Sequence, residues 1–131
     1  MGTVRDRAGR ALGFYWGAVA AALLLLMPLA PEAADAAPPC LFRSLTGFPC
    51  PTCGATHAVV ALSQLHLASA LGDNPLVAAG AIAFLLGGLA AGMAALAGRP
   101  LREPTSFSLR FRLAAAGAVL GNWAWLLAHR G

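Results

Sequence analysis

Three apolar runs separated by short polar breaks set the pattern of this chain. From Ala11 to Ala30 no charged residue interrupts the sequence, and about 20 mostly apolar residues are what a helix needs to cross a bilayer core. A second uncharged run covers residues 75–97. It follows Gly72-Asp73-Asn74-Pro75, where Gly72 suits a helix end, Asn74 can cap the next helix, and Pro75 fits its first turn. A third run, residues 113–128, is shorter, with Trp123 and Trp125 near its far end. Phe107 to Phe111 extends it if Arg110 carries its charge out to the interface. Residues 55–72 also lack Asp, Glu, Lys and Arg, yet Thr56, His57, Ser63, Gln64, His66 and Ser69 are scattered through them. On a helical wheel these polar positions do not share a face, so the segment reads as a helix at the interface or packed shallowly.

Composition agrees with the pattern. Hydrophobic residues are 59% and charged residues 11%, with a mean hydropathy of +0.71, against a usual charged share of about 25%. Such a chain cannot cover itself with polar groups, and the lipid bilayer becomes its expected surroundings. The net charge of +4 does not point to nucleic acid, because no basic stripe with interleaved aromatics is present. Seven arginines lie instead in the amino-terminal flank and between Arg99 and Arg112, with Arg43 and Arg130 elsewhere. By the positive-inside tendency the amino terminus is cytoplasmic, and the cysteine segment and carboxyl terminus are extracytoplasmic. The expected location is the bacterial cytoplasmic membrane.

The expected fold class is therefore an all-α membrane protein, one membrane domain over residues 1–131. It has three transmembrane helices (11–30, 75–97, 113–128) and an interfacial or shallow helix (55–72) after an extracytoplasmic Cys-rich loop (40–57). Phe14, Tyr15 and Trp16 suit a headgroup belt on the arginine side. Residues 31–39 read as a linker, and a cleaved signal peptide over 11–36 is the competing reading of the first run. Glycine pairs at four-residue spacing, Gly13/Gly17, Gly88/Gly92 and Gly117/Gly121, would let helix backbones approach closely in lipid, and Asn122 could bond across helices.

All three cysteines lie in C-L-F-R-S-L-T-G-F-P-C-P-T-C-G-A-T-H, residues 40–57, and three chemistries compete for them. In the first, a helix beginning at Pro51 puts Cys50 at its N-cap, where the dipole favours a thiolate. Cys50 and Cys53 would then form a thiol–disulfide pair, with Cys40 assisting. In the second, Cys40, Cys50, Cys53 and His57 form a tetrahedral zinc set, although a lone C-x-x-C is weaker than two ligand pairs. In the third, a disulfide pins the loop and the remaining cysteine fills apolar space or links to another chain.

The run from Cys40 to Ala58, followed by L-A-S-A-L-G-D-N-P-L, resembles a family of small bacterial membrane proteins known as domain of unknown function 2752. Its motif is approximately C-P-F-x-x-x-T-G-x-P-C-P-x-C-G-x-T-R-A with a downstream N-P-L. The resemblance covers Cys40 to Leu76 and implies a membrane location and a cysteine knuckle, with no established reaction. Leu41 replaces a frequent proline, and His57 stands where the family usually has arginine, so a histidine ligand would be particular to this chain. The preferred expectation is a non-catalytic module whose knuckle is structural or binds a metal or a partner, including another membrane protein. A membrane-bound oxidoreductase is the alternative.

Overall fold

The computed structural model describes residues 3–36, 38–101 and 108–130, and every regular element among them is helical. Arg102, Glu103, Pro104 and Phe107, which entered the loop and third-span expectations, lie outside the described residues. Three stretches are long and apolar enough to cross a membrane: Val4–Asp35, Pro75–Leu96 and Leu109–His129. Large apolar side chains stand out from them, including Leu25, Leu86, Leu96 and Leu113. In water such exposure would be costly; against lipid it is ordinary.

Helix α1 (Val4–Leu26) begins well before the first apolar run. Thr3 explains the early start: its hydroxyl accepts from the Asp6 backbone N–H while the Asp6 carboxylate accepts from the Thr3 N–H, a reciprocal cap. Pro28 lies in a 3-10 turn, Met27–Leu29, and the chain then continues as α2 (Ala30–Asp35), with Pro31 in its first turn. Residues 31–35 are thus helical where a linker over 31–39 was expected, because proline is tolerated in a helix's opening turn.

The remaining helices are α3 (Leu41–Thr46), α4 (Ala55–Ser63), α5 (Leu67–Asp73), α6 (Pro75–Leu96) and α7 (Leu109–Arg130). The segment read as one helix over 55–72 is two. The break falls at Gln64-Leu65-His66, where Leu65 has φ +60 and no right-handed helix can continue. Breaking there lets the short α4 and α5 fold back on each other, with α2 packed on α4. At the start of α7 the Ser108 hydroxyl accepts from the Phe111 N–H, a cap that brings Arg110 and Arg112 inside the helix.

The chain forms two compact units, residues 3–27 with 82–101 and residues 28–81 with 108–130. In the first, α1 and α6 meet through glycine. A Cβ built on Gly17 would stand 2.6 Å from Gly92 Cα, and one on Gly88 would stand 2.6 Å from the Ala20 Cβ. No larger residue fits at that crossing. Gly117 and Gly121 have nothing within 4 Å of an added Cβ, so that pair makes no close approach among the described residues. Trp16 packs on Gly87 and Gly88 and tilts against Phe84 at 5.8 Å, while Phe14 and Tyr15 are exposed.

Candidate functional site

The second unit holds the cysteines. Gly47 closes α3 with φ +75, and Phe48-Pro49 leads into a tight turn at Cys50-Pro51-Thr52-Cys53. The Cys53 N–H donates to the Cys50 carbonyl at 2.9 Å, and the Ala55 N–H donates to the Thr52 carbonyl at 3.0 Å. Gly54 then adopts φ +80 as the N-cap of α4, a left-handed conformation that side chains beyond Gly and Asn rarely take. The helix therefore begins at Ala55, where the 55–72 segment was expected to start, and not at Pro51 as the redox reading required. Cys50 is not an N-cap residue, and a helix dipole does not act on it directly.

Three distant side chains hold this turn by its carbonyls. Asn74, fully buried, donates through Nδ2 to the Cys53 carbonyl at 3.0 Å and to the Pro51 carbonyl at 3.3 Å. Its Oδ1 accepts from the Val77 N–H at 3.1 Å, so the same side chain also caps α6. Asn122 of α7 donates to the Pro51 carbonyl at 3.0 Å and accepts from the Leu76 N–H at 3.0 Å. Trp123 donates its indole N–H to the carbonyl of buried Pro49 at 3.0 Å. Each prolyl carbonyl is thus satisfied, and two free N–H groups at the start of α6 find acceptors.

Held in this way, the thiols converge. Cys40, Cys50 and Cys53 are free, and their Sγ atoms all lie within 4.8 Å of one another. The Cys40 thiol donates to Cys50 Sγ at 3.5 Å, and Cys50 Sγ is 3.3 Å from Thr52 Oγ1. A tetrahedral zinc ion with Zn–S bonds of about 2.3 Å sets its sulfurs about 3.8 Å apart, so sulfurs within 4.8 Å of one another are close enough to draw in around one ion. The three cysteines could hold a metal ion. His57, expected as the fourth ligand, lies exposed on α4 and lines the same cavity, but its ring nitrogens do not join the three-sulfur group.

The thiols are not equivalent. Cys50 is lowered to about 7, chiefly by the Thr52 hydroxyl, against the opposing effect of burial and with further help from the Cys40 thiol. Cys53 is raised, first by burial. Thr52, Asn74 and Trp123 were not recognised as parts of this site from the sequence. Asn74 was read only as a cap, because its second function depends on a turn 21 residues away.

Residues 40–88 match a family model described as "Protein of unknown function (DUF2752)", in line with the resemblance of the motif. No curated protein and no solved structure matches the chain.

Proposed function

We propose that this chain is a membrane-anchored metal-binding module in which the Cys40, Cys50 and Cys53 thiolates hold a zinc-class ion. The observation that carries this reading is the convergence of three free sulfurs within 4.8 Å on a turn braced by Asn74, Asn122 and Trp123. Soft thiolates select zinc or monovalent copper over the hard cations. A rigid, fully hydrogen-bonded turn would hold them where the ion needs them.

The module faces the extracytoplasmic side of a bacterial cytoplasmic membrane. The turn bonds to the first residues of α6 and to Asn122 and Trp123 in the later half of α7. Arg99 follows the other end of α6, and Arg110 and Arg112 open α7. The arginine-rich ends thus stay inside and the cysteine ends are carried across. Labelling of intact cells with a membrane-impermeant maleimide tests this side: cysteines protected until the cells are lysed would reverse it.

A second reading, a thiol–disulfide oxidoreductase, is favoured by the contrast between a lowered Cys50 and a raised, buried Cys53. The Cys50 thiolate would attack a substrate disulfide, releasing one substrate thiolate and leaving a mixed disulfide. Cys53 or Cys40 would then attack Cys50 Sγ and release the second. The substrate gains two electrons, and an intramolecular disulfide is left behind.

Anaerobic purification in detergent, followed by metal analysis and alkylation mass spectrometry, separates the two. One zinc per chain with all three cysteines reduced is the expected result. Metal-free protein with a Cys50–Cys53 or Cys40–Cys50 disulfide that exchanges with small thiols would establish the oxidoreductase instead.

A further inference from the structure

The three sulfurs line a cavity of about 700 Å³ within the second unit. Its wall also carries His57, His66, Asp35 and Asp73, all groups capable of ligating a metal. Yet among the described residues no histidine nitrogen or carboxylate oxygen joins the sulfur cluster. Structural zinc sites close the ion in with four protein donors, whereas working sites keep one position for an outside ligand. The volume is far more than the roughly 30 Å³ share of one water, and it falls within the range of about 300–1,000 Å³ typical of small-molecule sites.

Resting on the metal reading above, we infer that the site supplies only three protein donors, Cys40, Cys50 and Cys53, and takes its fourth ligand from the cavity. That ligand is a small molecule of the thiol class. Softness argues for sulfur, since a metal already bound by three thiolates accepts a fourth readily, as in Cys₄ zinc sites. The cavity wall suits a polar molecule, with Gln64 and Thr56 beside the histidines. The module would then bind a thiol through its metal rather than close the ion in.

Cobalt substitution of the full-length protein in detergent tests this. Cobalt bound by three cysteines should show intense sulfur-to-cobalt charge-transfer bands, weakened by about a third in Cys50→Ser as one of three thiolates is lost. Adding 2-mercaptoethanol should move the ligand-field bands saturably while the metal stays bound, and His57→Ala and His66→Ala should leave the starting spectrum unchanged. A starting spectrum altered by His57→Ala, in protein that ignores added thiol, would mean that the protein closes its own site and would overturn the inference. Complete stripping of cobalt by the thiol would overturn it as well, since no ternary complex would form. Failure to bind cobalt at all would instead overturn the metal reading from which the inference starts.

Discussion

Where α1 meets α6, the contact is made by what is missing; at the cysteine turn, it is made by what reaches in. Gly17 and Gly92 approach so closely that a Cβ on either would stand 3.0 Å or less from the other's Cα. The turn is held by Asn74, Asn122 and Trp123, which come from 21 to 74 residues away in the chain. Lipid tails are as apolar as leucine side chains, so helices gain little from burying one another and use close van der Waals packing. A partly buried non-helical turn faces a different demand: its carbonyls must find donors in the protein. One region is specified by shape and the other by hydrogen-bond valence.

The largest expected effect breaks the first of these. Gly17→Leu should cost about 3 kcal/mol or more, at or beyond the upper end of ordinary overpacking, because backbone rather than a flexible side chain opposes it. Gly117→Leu, facing open space, should change stability by less than about 0.5 kcal/mol. Unfolding in detergent, followed by circular dichroism, measures both. Equal losses would mean that glycine at the α1–α6 crossing has no special place.

At the turn, Asn74→Ala should cost about 2–3 kcal/mol, combining a lost helix cap with buried carbonyls left unpaired. Asn74→Asp sharpens the comparison, since it keeps the acceptor for Val77 and removes the donor to Pro51 and Cys53. Its helix start should survive while its metal affinity still falls. Competition with a chromophoric chelator reads that affinity, and a wild-type value in Asn74→Asp would reduce Asn74 to a cap.

The smallest effect concerns charge rather than stability. Cys50 is lowered to about 7 with the Thr52 hydroxyl as the leading cause, so its thiolate forms as pH rises through about 7 and is lost as pH falls through it. Alkylation of metal-free protein should accelerate over that window at Cys50 and at higher pH at Cys53, which is raised. Thr52→Val should move the Cys50 midpoint upward and slow its alkylation at pH 7 several-fold, with the fold unchanged. An unmoved midpoint would remove Thr52 from the site.

Much of this was legible in the chain itself. Apolar runs, the Asn74-Pro75 cap and the glycine spacing at Gly13/Gly17 and Gly88/Gly92 are local signals whose physics is complete within a few residues. The cysteines were equally plain as residues, but their geometry was not. Whether a helix starts at Pro51 or Ala55 depends on Gly54 taking φ +80, and composition alone does not fix that choice. The break at Leu65 carries no glycine or proline to announce it. The bonds from Asn122 and Trp123 pair residues 71 and 74 positions apart, which no periodicity in a single sequence reports.

The central claim is that three cysteine sulfurs share one metal ion. X-ray absorption of the zinc-loaded, reduced protein counts those sulfurs directly. We expect three protein-derived sulfurs at about 2.3 Å, falling to two in Cys40→Ser, with a light-atom donor completing the shell when no thiol is added. A zinc shell made wholly of nitrogen and oxygen, or one unchanged by Cys40→Ser, would contradict it.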